Sequence, residues 1–125
     1  MADNFKSFTT IVTTQNQDFT IYTVPTADDS AVPAQKPVQA LVKSILCTPV
    51  VNSVVSITLF DASANQTVNI IKDITMTVGN AGLSGYHDEE ILRQPLVLED
   101  SDILRVQSNQ NNALHVTLSV LEIKQ

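Results

Sequence analysis

Thiols, imidazoles and clustered carboxylates carry much of protein chemistry, and this chain holds few of them. Its one cysteine, Cys47, follows Leu46 late in an alternating apolar stretch with no histidine beside it. A thiol nucleophile needs a base within reach, so Cys47 reads as a small, buried core residue. A single cysteine also excludes an intramolecular disulfide. The two histidines, His87 and His115, stand in neither a His-x-His nor a His-Glu-x-x-His spacing, so no catalytic zinc is expected. A cupin-type enzyme would need such a pair. His115, between Leu114 and Val116, reads as an outward residue on a sheet or at a subunit interface. Two acidic clusters remain, Asp88-Glu89-Glu90 and Glu99-Asp100-Ser101-Asp102. Calcium wants six to eight oxygens, and neither cluster has calcium-loop spacing with a placed glycine. Both read as solvated turns, the second stabilised by its own Asp and Ser side chains. There is no Walker loop and no dinucleotide glycine pattern. No catalytic residue, cofactor or metal is expected.

The elements that would position these residues are strands. Val54 to Phe60 sets Val55, Ile57 and Leu59 on one face against Ser56 and Thr58. Ala113 to Ile123 sets Leu114, Val116, Leu118 and Val120 facing in. Asp18 to Val24 places Phe19, Ile21 and Thr23 opposite Thr20, Tyr22 and Val24. Val38 to Cys47 puts Leu41, Ile45 and Cys47 on one face. Thr67 to Asp73 and Ile74 to Val78 read as two short strands, the second with Ile74, Met76 and Val78 together. Phe5 to Thr14, Leu96 to Leu98 and Ile103 to Ser108 complete the set. Turns lie between them about every 8–12 residues, the spacing of an all-β sandwich or barrel. The chain is expected to be all-β, a single antiparallel β-sandwich of about eight strands, jelly-roll or immunoglobulin-like. Residues 1–14 form an N-terminal strand or arm, and residues 15–125 the sandwich.

Composition narrows the function classes. The 125 residues are 43% hydrophobic but only 16% charged, with 7 Lys+Arg against 13 Asp+Glu and a net charge of -6. Phosphate contacts need clustered basic residues, so a nucleic-acid partner is not expected, nor attraction to an anionic membrane surface. Glycan stacking would use exposed Trp or Tyr. There is no Trp, and Tyr86, beside the Gly79 to Gly85 loop, is the best candidate. No secretory leader is read at the N-terminus, so synthesis in a cytoplasm is expected. The mean hydropathy of +0.09 is high for so few charges, and such chains often hide apolar surface in an assembly.

Three stretches read together carry a resemblance. They are Phe19-Thr20-Ile21-Tyr22-Thr23-Val24-Pro25, Ala40-Leu41-Val42-Lys43-Ser44-Ile45, and Leu96-Val97-Leu98-Glu99-Asp100-Ser101-Asp102-Ile103-Leu104-Arg105-Val106. In this order, and with a closing strand like Leu114 to Ile123, the chain resembles small β-sandwich structural proteins of tailed bacteriophages over roughly residues 19–123. The resemblance implies a virion location and a non-enzymatic role. The favoured form is a capsid decoration (cement) protein, bound to the major capsid protein or another virion protein as a homo-oligomer, a trimer for preference. The alternative is a tail, baseplate or receptor-binding module using the Gly79 to Gly85 and Asn109 to Asn112 loops. One departure from the pattern is the longer Thr26 to Pro37 loop, with Asp28 and Asp29, which reads as a contact arm or a tolerated insertion. Met1 to Thr14 reads as an arm that adds a strand to a neighbour, with Phe5 and Phe8 as apolar anchors. Phe5, Phe8, Asp28, Asp29 and Tyr86 are therefore the candidate partner-contact residues.

Overall fold

A computed structural model describes residues 2–26, 39–78, 89–90 and 95–124. Among the described residues are nine strands and no helix. They are β1 (Ala2–Val12), β2 (Phe19–Thr23), β3 (Gln39–Pro49), β4 (Ser53–Asp61), β5 (Gln66–Met76), β6 (Glu89–Glu90), β7 (Leu96–Leu98), β8 (Ile103–Ser108) and β9 (Leu114–Lys124).

The chain doubles back at the β4–β5 turn and pairs its two halves outward from there. β4 meets β5, β3 meets β6 and β7, β2 meets β8 and β1 meets β9, all antiparallel. The doubled ribbon then rolls up, so that β9 also pairs with β3 and β8 with β4. The first sheet runs β1-β9-β3-β6, with β7 also on β3; the second runs β2-β8-β4-β5. β7 covers Ala40 to Val42 of β3 and β6 covers Leu46 and Cys47, so the two share one strand position. The result is a single antiparallel β-sandwich of eight strand positions, as expected. Of the two topologies left open, this nested pairing is the jelly roll.

Strict alternation holds where it was clearest. Leu114, Val116, Leu118 and Val120 of β9 and Val55 and Ile57 of β4 are buried between the sheets. Each such side chain contributes roughly 1.5–3 kcal/mol by leaving water. Three strands break the alternation with bulges, each adding one unpaired residue and reversing the faces beyond it. In β3 the register slips between Val42 and Ser44, so Lys43 is the extra residue. Ala40 and Val42 are buried before it, Ile45 and Cys47 after it, and Leu41 lies on the opposite face from Cys47. In β2 the slip falls between Thr20 and Tyr22, and consecutive residues Ile21 and Tyr22 are both buried. Thr67 to Asp73 and Ile74 to Val78 are not two strands. They belong to one strand, β5, which slips register twice against β4. Asp73 has φ 54° there, a left-handed conformation that Asp tolerates better than most residues. Its N–H donates to Ser56 Oγ at 2.9 Å. Met76 is buried, while Ile74 is 43% exposed rather than sharing its face.

Candidate functional site

The outer face of the first sheet carries apolar side chains in register. Phe5 lies opposite Leu121, Leu121 opposite Leu41, and Leu41 opposite Val97. Strands sit about 4.8 Å apart, so this row spans about 14 Å across four strands. Phe5 is 74% and Val97 62% exposed, with Leu121 and Leu41 half-buried between them. The next row is Ser7, Ser119 and Ser44, and a further one is Ile11, His115 and Thr48. The β3 bulge sends Lys43 over this face, its Nζ 5.8 Å from the Phe5 ring centroid, within reach of a cation–π contact. Phe5, Ser7, Ser119 and Lys43 rim a shallow depression there. In a chain of net charge -6, the ionisable side chains described on this face are Lys43 and His115. The second sheet's outer face is more polar: Thr20, Arg105, Thr58 and Asn69 form a row across it, and Arg105 covers the Phe60 ring at 5.7 Å.

Among the described residues, a polar cluster lies inside the sandwich around Glu122. Glu122 continues the inward series of β9 and is 1% exposed. The Tyr22 hydroxyl, from the opposite sheet, donates to Glu122 Oε2 at 2.5 Å. Lys6 of β1 lies 2.9 Å from Glu122 Oε1. Phe8, also on β1, sets its ring 4.9 Å from the Tyr22 ring, tilted by 39°. Burial pushes the Tyr22 phenol far above its ordinary value of 10.0, and the hydrogen bond to Glu122 and that residue's charge act in the same direction. The β2 bulge creates this cluster, because unbroken alternation from Ile21 would turn Tyr22 outward. Glu122 is not among the residues singled out from the sequence, although the alternation of β9 carries to it two residues past Val120. Tyr22 gave no such signal.

Phe5 and Phe8 were expected to act together as anchors. Three residues is an odd separation along a strand, and the structure puts them on opposite faces. Phe5 is exposed, while Phe8 packs against the core. Asp28, Asp29 and Tyr86 lie outside the described residues, as does the Gly79 to Gly85 loop. His115 faces outward, as expected, and Cys47 is fully buried. The acidic turn before β8 is stabilised by one of its own side chains, as expected, but that side chain is not solvated. Asp102 is 5% exposed. Its Oδ1 accepts from Ala62 N–H at 3.0 Å and its Oδ2 from Glu99 N–H at 2.9 Å, tying two separate turns together. Ser101, at φ 69°, donates its N–H to the Val24 carbonyl. At the other end, Asn109 Oδ1 accepts from Val54 N–H and Asn111 Oδ1 from Gln15 N–H, both at 2.8 Å. That end's Asn109 to Asn112 loop thus spends two of its amides on its own scaffold.

Among the described residues, no three of His, Cys, Asp and Glu gather closely enough to hold a metal ion. The groups that stand out are therefore a buried, paired carboxylate and an exposed apolar row with a cationic border, the second being the one a partner can reach. No family model, curated protein or solved structure matches this chain.

Proposed function

We propose that this chain is a non-enzymatic structural component of a phage virion, a decoration protein that binds the outer capsid surface as an oligomer. What supports the reading is the apolar row of Phe5, Leu121, Leu41 and Val97 on an otherwise hydroxyl-rich sheet face. An apolar row across four strands, exposed at Phe5 and Val97 and rimmed by polar residues, suits a protein-binding surface. Many copies on a symmetric shell would turn a modest contact of this kind into tight attachment. The virion assignment itself comes from the three-stretch resemblance. The jelly roll adds nothing to it, because one fold serves many functions.

The test is co-sedimentation of the purified protein with phage heads that lack it, beside intact tails and host cells. Saturable binding to heads at a fixed ratio to the major capsid protein is expected. Val97→Asp should weaken that binding at least about tenfold, since it sets a charge within a desolvated contact, while leaving the melting temperature within about 2 °C. Binding to tails or host cells alone would move the protein to the tail, baseplate or receptor-binding reading. Binding to none of them would remove the virion reading.

A further inference from the structure

We propose that two copies of this chain pair edge to edge through β1, antiparallel about a twofold axis at Phe8, and so join their first sheets into one. The inference rests on the oligomeric part of the function proposed above. It assigns a twofold where the resemblance implies a threefold.

β1 forms one edge of the first sheet, and no described strand pairs with its outer side. It is eleven residues long and keeps an unbroken register with β9 from Ala2 to Val12. Long, regular edges are templates for strand addition, and proteins usually blunt them with bulges, prolines or charges. The edge of β5 is blunted by two bulges. The far edge of β3 is divided between β7 and β6. β1 has no bulge and no proline, and the one charge at its centre, Lys6, is paired with Glu122 of its own chain.

The occupant follows from the spacing of the exposed residues. Phe5 and Ile11 are 74% and 56% exposed. Both are odd-numbered and lie on the outer face, at equal distances on either side of Phe8. Antiparallel pairing about Phe8 sets Phe5 opposite Ile11 of the partner subunit and, by symmetry, Ile11 opposite Phe5 of the partner subunit. A twofold interface must be self-complementary in this way. Charge agrees with the register. Lys6 is the only ionisable residue from position 5 to 11, and it falls opposite Thr10 of the partner subunit. Moving the axis to Lys6 would set two like charges face to face, which destabilises a sheet pair. In the proposed register the apolar row is extended by one strand, running Val97, Leu41, Leu121, Phe5 and then Ile11 of the partner subunit.

Charge exchange and cross-linking test the register. The wild-type chain should sediment at twice its 13.6 kDa mass at micromolar concentration. Phe5→Glu and Ile11→Lys should each raise the dimer dissociation constant about tenfold or more, because symmetry counts each change twice. The double variant Phe5→Glu/Ile11→Lys should recover most of that loss, since each new carboxylate then faces a new ammonium. Both sites are exposed, and circular dichroism should show each variant folded like the wild type. Separately, the oxidised Phe5→Cys/Ile11→Cys chain should form a covalent dimer, while each single variant should not. Within one chain those positions are about 20 Å apart, too far for a disulfide. A monomeric wild type, a trimer, or a double-charge variant no better than the singles would overturn the proposal. A monomer that still saturates phage heads overturns this edge and spares the virion reading. A dimer that binds no heads does the reverse.

Discussion

Tyr22 keeps its proton because of where a single extra residue in β2 has put it. The hydroxyl has left water and its partner is an anion, and both effects favour the neutral phenol. Removing the hydroxyl in Tyr22→Phe deprives a buried carboxylate of a hydrogen bond, a loss of about 1.5–3 kcal/mol, read as a lower urea midpoint at pH 7. The same group gives a signed pH dependence. An unfolded chain releases this proton near the ordinary value of 10.0, and the folded chain holds it beyond that. Above about pH 10 the folded state therefore binds more protons than the unfolded one. The contribution is complete below that pH and declines as pH rises, by up to about 1.4 kcal/mol per pH unit. Tyr22→Phe should flatten this alkaline decline. In a Tyr86→Phe background the absorbance of phenolate should stay absent at about pH 11 until the chain unfolds. Phenolate appearing in the folded protein near pH 10 would mean that Tyr22 is not held by Glu122.

Strands were legible where their alternation is unbroken, and β4 and β9 carry the core as their residue patterns indicate. β2, β3 and β5 depart in face or boundary from what their residue patterns indicate, because a bulge shifts the pattern by one residue and leaves no compositional trace. Lys43 and Ile21 look like ordinary strand residues. The outer-face row was illegible for a related reason. Phe5, Leu41, Val97 and Leu121 come from four distant segments, and only the register aligns them. Turns show the opposite failure, in which an apparently solvated residue has structural work. Asp102 joins the turn after β4 to the one before β8 through two backbone donors. Asp102→Ala leaves both N–H groups without that acceptor, at a cost of about 2 kcal/mol or more. Hydrogen exchange at the Ala62 and Glu99 amides should accelerate together, before the rest of the sandwich responds. Faster exchange at only one of them would show that the side chain serves a single turn. Asp102→Asn keeps one strong acceptor and should fall between wild type and Asp102→Ala.

At the scale of the whole molecule, the first and last strands close the sandwich together, and this changes what the N-terminal segment can do. An arm that docks on a neighbour should be removable without loss of the fold. β1, however, pairs with β9 along all eleven of its residues. It supplies Val12, fully buried, and Phe8, packed on the core, and its Lys6 is the ammonium beside Glu122. Deleting residues 1–14 removes all of these at once. β9 would become a bare edge, the Tyr22 ring would lose its neighbour, and a buried carboxylate would lose its counter-charge, which by itself is costly by several kcal/mol. Against a typical total stability of about 5–15 kcal/mol, the truncated chain should show no cooperative melting transition, or one lowered by more than about 10 °C. A synthetic peptide of residues 1–14 added in excess should restore the transition, because the groove it left between β9 and the second sheet is specified by the rest of the chain. Restoration by a peptide carrying Lys6→Glu should be far weaker, since that change sets two carboxylates against each other. A truncated chain that melts like the full one would return the segment to the role of a detachable arm and would leave the open edge on β9.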